Sequence, residues 1–378
     1  MKREAIIHIG VPKTGTTSIQ QVLKKRRADL PGQGAHAARS PGSGNHALLT
    51  IAAGGEMYDP GDEFWEGMAP RQRIEKFRAE LAEEMNGLPA GVNRVIFTDE
   101  RMSTLLNTPQ HLKKLRTLLE PWFDRFTIVV YLRRQDALIA SKYTQNLRAG
   151  MLQEPEKQLE DWRRLRDCDY QTLLDLWAAE FGDPAIRVRI YEKVGDRNFD
   201  SVADFLGLIG VTLELTEDDR ARTLNPSISL AAQGLLRDVG RTMRTRSVRR
   251  SLLNEEWRAL CQAATIAVPG KGWAPTQAEA AEFVARFAEV NEAVRQRFTP
   301  ERPALFNDDF SNLPAEKTVV SDAETLDAAK KILAECVGVR LRKAVKSQRR
   351  VRSVFTDDGT REPLVRKKKK ALGAGVPT

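Results

Sequence analysis

The residues that most constrain this chain stand near its beginning, where Ala5-Ile6-Ile7-His8-Ile9 runs into Gly10-Val11-Pro12-Lys13-Thr14-Gly15-Thr16-Thr17-Ser18 and then Ile19-Gln20-Gln21-Val22-Leu23. The order predicts a strand, a turn bounded by two glycines, and a helix. Such a turn aims several backbone N–H groups, and the positive end of a helix dipole, at one point in space. An anion of phosphate size belongs there. Lys13 places a cation inside the loop, and Thr14, Thr16, Thr17 and Ser18 surround it with hydroxyl groups.

The usual nucleotide loop reads G-x-x-x-x-G-K-S/T, with lysine directly after the second glycine. Gly10 and Gly15 keep that spacing, but Thr16 stands where the lysine would be and Lys13 lies two residues before the second glycine. Pro12-Lys13-Thr14-Gly15-Thr16-Thr17 resembles, at every position, the P-K-S/T-G-T-T loop of the sulfotransferases. In that family the loop holds the 5′-phosphate of 3′-phosphoadenosine 5′-phosphosulfate (PAPS), and the lysine contacts the bridging oxygen. The resemblance therefore implies that Lys13, Thr14, Gly15, Thr16, Thr17 and Ser18 bind the 5′-phosphosulfate.

A second segment extends it. Phe126-Thr127-Ile128-Val129-Val130-Tyr131-Leu132 has strand character and ends in Arg133-Arg134-Gln135-Asp136, and a helix carrying Ser141 follows over 137–147. Sulfotransferases carry an arginine at such a strand end and a serine eight residues later, both on the cofactor's 3′-phosphate. Arg133 and Ser141 reproduce that spacing, and a rigid guanidinium fork suits the task. Arg134 reads as a solvated neighbour. Ile186-Arg187-Val188-Arg189-Ile190-Tyr191-Glu192 and Ser201-Val202-Ala203-Asp204-Phe205-Leu206-Gly207 resemble the family's tyrosine–glutamate strand end and its later F-L-G helix. Tyr191 is thereby a candidate adenine contact, against the alternative of a core tyrosine closing a strand. Together the echoes span roughly the first 210 residues, in the family's order.

The remaining chain supports an α/β reading. Helices are expected to about residue 28, over 71–85 and over 110–120, and strands over 94–98 and before Arg133. The expected fold is a parallel β-sheet flanked by helices, of the P-loop nucleotide-hydrolase-like sulfotransferase kind, with a mostly helical part from Ser227 onward that includes 277–298. Ligands in such sheets collect at the carboxyl ends of strands, where residues 10–17, 98–101, Arg133 and Tyr191 fall. The Gly-, Pro-, Ser- and Ala-rich stretch 31–44 reads as a long flexible loop facing substrate.

Composition bounds the rest. The chain has 378 residues, 41% of them hydrophobic, which is ample for a core. No stretch approaches the roughly 18 uninterrupted apolar residues of a membrane span, and the first apolar run is too short for a cleavable signal. Cys168, Cys261 and Cys336 are widely spaced and odd in number, so neither a disulfide framework nor a structural zinc is expected. A reducing, cytoplasmic location follows, with the inner face of the membrane as an alternative. The net charge of +9 is uneven: residues 330–378 carry 15 basic and 4 acidic side chains, which leaves the remainder slightly negative. This argues against a specific nucleic-acid partner. The division expected is a sulfotransferase domain over 1–320 and a basic, partly disordered tail over 321–378, able to touch an anionic membrane weakly.

Sulfuryl transfer to a hydroxyl needs a base near the attacking oxygen. Glu100, at the end of the strand that closes on Thr98, occupies a place resembling that of the catalytic histidine of cytosolic sulfotransferases, and other branches use a glutamate. Asp99 is its close rival. His46, in Gly42-Ser43-Gly44-Asn45-His46, is the second candidate, as a base, a substrate contact or a cap. His8 reads as a core residue, and His36 and His111 have no motif around them. Arg222, Asn225 and Ser227 are weak candidates for further 3′-phosphate contacts. The cluster Arg241, Arg244, Arg246, Arg249 and Arg250 reads as a solvated helix face, or as a site for an anionic glycan.

The resulting expectation is a sulfotransferase that uses PAPS without a metal and acts on a hydroxyl of a saccharide, glycolipid or small metabolite. Two alternatives remain open. A P-loop small-molecule kinase would carry its lysine after Gly15 and an aspartate at a neighbouring strand end, a role for which only Asp99 is placed. A non-catalytic module would anchor a polyanion or membrane through the basic tail.

Overall fold

The computed structural model describes residues 3–39, 46–54, 70–192, 199–217, 219, 227–245 and 250–352. Five parallel strands form one sheet: β1 (Arg3–His8), β2 (Ala35–Ala37), β3 (Arg94–Thr98), β4 (Phe123–Leu132) and β5 (Ile186–Ile190), in the spatial order β2-β3-β1-β4-β5. β1 is central, pairing His8 with Thr98 of β3 on one side and with Val129 of β4 on the other. The chain runs outward from β1 to one edge, returns through β3 and crosses to the other half, so the order reverses at the carboxyl end of β1. Such a reversal opens a crevice for ligand.

Alternation along the strands divides the core. Ala5, Ile7, Phe97, Val130 and Leu132 face one layer of helices, which supplies Phe77, Leu81, Leu112, Leu115, Leu138 and Trp177. Ile6, Ile96, Val129 and Tyr131 face the other, formed by Ile19, Val22 and Leu23 of the helix Thr16–Lys25 and by Val202, Phe205 and Leu206 of the helix Ser201–Leu208. His8 lies on this second face, fully buried against Tyr131 and Phe205.

The expected elements recur with shifted ends, as in the helices Pro70–Asn86, Pro109–Leu119 and Gln135–Arg148. Two differences matter. Part of the stretch expected as a flexible loop is the edge strand β2, because Ala35, His36 and Ala37 pair with Arg94, Val95 and Ile96 of β3. Two alanines have little strand preference of their own, so this strand depends on its neighbour. Residues 40–44 of that stretch lie outside the described residues. The helix expected over 277–298 is two, Gln277–Ala285 and Ala288–Phe298.

The C-terminal part is helical. Helices Leu230–Thr245, Arg250–Ala267 and Asp322–Arg352 meet around Ala232, Leu236, Trp257, Cys261, Ala264 and Ile332. Residues 322–352 of the segment expected as a tail are therefore helical, and residues 353–378, with the run Arg366-Lys367-Lys368-Lys369-Lys370, lie outside the described residues. Among the described residues no helix is long and apolar enough to cross a membrane.

Candidate active site

The loop after β1 turns on three residues with positive φ: Gly10 at 57°, Lys13 at 71° and Gly15 at 86°. Glycine adopts this conformation freely, whereas at Lys13 it costs roughly 1–2 kcal/mol. Strain of that kind persists where surrounding structure holds it. Here the Thr14 hydroxyl donates to the Val11 carbonyl at 2.6 Å and Arg133 Nη1 donates to the Lys13 carbonyl at 3.0 Å. Gly15 caps the helix Thr16–Lys25, and a Cβ built on it would stand 2.2 Å from Ser201 Oγ. Gly10 is as confined, since its Cβ would stand 2.8 Å from Glu100 Cα.

A cavity of about 540 Å³ opens at this switch point. Lys13, Gly15, Thr16, Thr17 and Ser18 line it from the loop, Glu100 from the end of β3, Arg133, Ser141 and Gln145 from β4 and the helix after it, and Tyr191 from the end of β5. The volume is ordinary for a small-ligand site. Its cations are unneutralised: among the described residues neither Lys13 nor Arg133 makes an ion pair. Burial depresses the pKa of both side chains, and at Lys13 the nearby Arg148 acts in the same direction, as Arg133 does more weakly, while Glu100 opposes it. Two partly desolvated cations on one cavity call for an anionic ligand. The Thr16 hydroxyl adds a buried oxygen without a hydrogen-bond partner among the described residues. Tyr170 fixes Arg133 from behind by donating to its carbonyl at 2.5 Å, and the guanidinium lies 5.5 Å from the centre of the Tyr191 ring.

Glu100 is the carboxylate on the loop side of this cavity. Burial raises its pKa first, and the neighbouring Asp99 second, against the lowering influence of Lys13 and Arg101. Asp99 itself is fully buried and engaged: it accepts from the Thr50 hydroxyl at 2.6 Å and from Arg101 Nε at 2.9 Å, and it does not line the cavity.

His46 is a structural pin. Its Nδ1 accepts from the Thr98 amide at 2.8 Å while its Nε2 stands 3.0 Å from the Ala38 carbonyl, an arrangement that selects the neutral Nε2–H tautomer. Both ring nitrogens are used, burial lowers the pKa, and the ring does not line the cavity. Its site role is corrected accordingly: it ties the ends of β2 and β3. The Thr14 hydroxyl is engaged in bracing the loop and its side chain is fully buried, which leaves only its backbone amide for a ligand. Ser18 lines the cavity, but its amide already donates to the Gly15 carbonyl at 3.0 Å.

Arg134 points away from the cavity. It makes a two-point ion pair with Asp136, donates to the Asn307 and Asp309 carbonyls, and stacks on Phe310 at 4.1 Å. Arg241 pairs with Glu154. Arg222, Asn225, Arg246 and Arg249 lie outside the described residues, as do the side chains of Arg244 and Arg250. Sequence reasoning missed Gln145, Phe199, Asp200, Ser201, Val202, Leu215 and Asp219, which complete the lining. Gln145 was accessible from the sequence, one helical turn beyond Ser141. Asp200 carries a capping signal, and it accepts from the amides of Val202 and Ala203.

No family model matches this chain. A curated protein of Archaeoglobus fulgidus, described as uncharacterized, is 30% identical over 102 residues, which are 27% of this chain and 27% of that protein. Among solved structures, a sulfotransferase from Alicyclobacillus acidocaldarius is 16% identical, with 68% of this chain and 100% of that one covered and a TM-score of 0.37. The sulfotransferase domain of an olefin synthase from Synechococcus PCC 7002 is 14% identical, with 76% and 94% covered and a TM-score of 0.32.

Proposed function

We propose that this chain is a sulfotransferase that moves the sulfuryl group of PAPS to a hydroxyl of a saccharide, glycolipid or small metabolite. The observation that carries the reading is the convergence of Lys13 and Arg133, two cations without ion-pair partners among the described residues, with Ser141 and Glu100 on one cavity at the strand ends. In this scheme Lys13 and the loop from Gly15 to Ser18 bind the 5′-phosphosulfate, Arg133 and Ser141 bind the 3′-phosphate, and Tyr191 borders the adenine. When bound, the nucleotide supplies an activated sulfuryl group on a phosphate leaving group. Glu100 takes the proton of the acceptor hydroxyl as its oxygen bonds to sulfur, and Lys13 offsets the charge left on the bridging oxygen as that S–O bond breaks. The released product is the 3′,5′-bisphosphate, and Glu100 ends protonated. Residues 1–320 form the catalytic domain on this reading.

The kinase alternative lacks support at its one supporting residue. Asp99 is sealed against Thr50 and Arg101, away from the cavity. The test is calorimetric titration with 3′-phosphoadenosine 5′-phosphate and with magnesium–ATP, for the wild type, Lys13→Ala and Arg133→Ala. The expected result is tight bisphosphate binding, much weaker ATP binding, and loss of the bisphosphate in both variants. Preference for magnesium–ATP, or binding of neither, overturns the reading.

A further inference from the structure

A second cavity, of about 360 Å³, lies at the far end of the helix Thr16–Lys25. Lys24, Lys25, Arg27, His36 and Arg39 line it, and among the described residues no carboxylate does. It shares no lining residue with the cavity of Lys13 and Arg133. Thr16, Thr17 and Ser18 stand in the first turn of the helix, and Lys24 and Lys25 in its last, so the two cavities lie at opposite ends of a helix about 15 Å long.

Two of these basic groups already have an anion. Lys25 Nζ pairs with Asp219 at 2.7 Å, and Asp219 also pairs with Arg26. His36 Nε2 stands 2.7 Å from Glu84 Oε1, and the same oxygen accepts from the Arg39 amide at 2.6 Å. The side chains of Lys24, Arg27 and Arg39 make no ion pair among the described residues. Arg27 is pinned in place: its Nε donates to the Ala37 carbonyl at 3.0 Å and its Nη2 to the Ala38 carbonyl at 3.1 Å, which leaves Nη1 without a partner among the described residues. Burial lowers the pKa of Arg27, Glu84 opposes this, and the nearby Arg39 adds to it. The helix dipole accounts for the lysines of the last turn. It does not account for Arg27 and Arg39, which lie beyond the helix and repel one another. Like charges gathered in this way are relieved by an anion between them. Donors from three separate side chains suit an anion with several equivalent oxygens, and their summed charge suits a dianion. We propose that this cavity binds a tetrahedral dianion, a phosphate or sulfate oxyanion, through Lys24, Arg27 and Arg39, with Arg27 as the fixed donor. The proposal does not rest on the sulfotransferase reading.

The experiment is calorimetric titration of the full chain with inorganic phosphate at low salt, for the wild type, Lys13→Ala and Lys13→Ala/Lys24→Gln/Arg39→Gln. The change at Lys13 weakens the other cavity for anions, so that what remains reports on this one. Lys24 and Arg39 are exposed, and thermal melting checks that the variants stay folded. Arg27 is left alone because it also ties Ala37 and Ala38. Phosphate binding is expected to survive in Lys13→Ala and to fall about tenfold or more when Lys24 and Arg39 are also changed. Inorganic sulfate should bind comparably and acetate much more weakly. Glycerol 3-phosphate and vesicles containing phosphatidic acid distinguish the source: binding of the first that depends on Lys24 and Arg39 assigns the site to a free ester, and capture by the second with the same dependence assigns it to a lipid headgroup. Selenate soaked into crystals of the wild type gives a second readout, an anomalous peak beside Arg27. No phosphate binding in a folded Lys13→Ala protein, an affinity that the changes at Lys24 and Arg39 leave untouched, acetate binding as tight as phosphate, or a selenate peak only beside Lys13 and Arg133 overturns the proposal.

Discussion

Arg133 donates from Nη1 to the carbonyl of Lys13 across 3.0 Å, so one hydrogen bond joins the end of β4 to the strained residue of the loop after β1. The two cations proposed for opposite ends of the nucleotide are thereby parts of one assembly. Removing Arg133 takes away a brace for the backbone that carries Lys13, together with the ligand contact proposed for it.

Arg133→Lys keeps the charge and loses the fork. It is expected to weaken binding of 3′-phosphoadenosine 5′-phosphate by about 10- to 100-fold, because one ammonium cannot hold both the Lys13 carbonyl and a phosphate in the fixed geometry of a guanidinium. Calorimetry checks this, and unchanged affinity would show that charge alone suffices.

Glu100→Gln separates catalysis from stability. As the proposed base it must be ionised, so turnover should rise with pH through a pKa above the ordinary glutamate range, and the variant should lose about 10²–10⁴ in kcat. The sign for folding is opposite. A carboxyl whose pKa is raised by the fold favours the folded state below its unfolded pKa and opposes it as pH rises through the raised value. At neutral pH the variant is therefore expected to melt no lower than the wild type. Thermal scans beside single-turnover assays with PAPS check both halves.

His8 and His46 make the protein sensitive to acid. Burial lowers both pKa values, that of His8 from 6.5 to about 3. The neutral rings are favoured in the fold, so the contribution of each is fully present above pH 6.5 and is lost as pH falls through its lowered pKa, which for His8 is about 3. For His8 the loss amounts to at most about 5 kcal/mol. Urea unfolding at stepped pH should show His8→Phe losing less stability over this window than the wild type; parallel curves would contradict the assignment.

Gly15→Ala combines two costs. The φ of 86° charges alanine about 1–2 kcal/mol, and the new methyl would meet Ser201 Oγ at 2.2 Å. The variant should melt lower and bind the bisphosphate more weakly. Adding Ser201→Gly should recover the steric part and leave the conformational part, which a double-mutant cycle resolves.

His46→Ala should behave as a core defect. It leaves the Thr98 amide without its partner, leaves the Ala38 carbonyl with Arg27 Nη2 at 3.1 Å as its remaining donor, and opens a void, for a loss of about 2–4 kcal/mol. Bisphosphate affinity measured well below the melting temperature should change little, and a large specific loss of affinity would return His46 to the site.

Local order along the chain was legible because it is written in adjacent residues. The loop from Gly10 to Ser18 needs only its glycines and the apolar runs beside it, and β3, β5 and most helices follow from periodicity and caps. The spacing of Arg133 and Ser141 also survived, since a strand end and two helical turns convert sequence distance directly into direction. What the sequence by itself determined, then, was the succession of strands and helices and the cationic loop at the end of β1. Only the tertiary structure decided which side chains the cavity receives. It made β2 a strand by pairing it with β3, turned His46 and Thr14 inward, sealed Asp99 against Thr50 and Arg101, and left Glu100 on the cavity. The reason is physical: hydrogen-bond partners such as Ala38 for His46 and Thr50 for Asp99 are fixed by how separate segments pack, and packing satisfies buried polar groups wherever partners arrive.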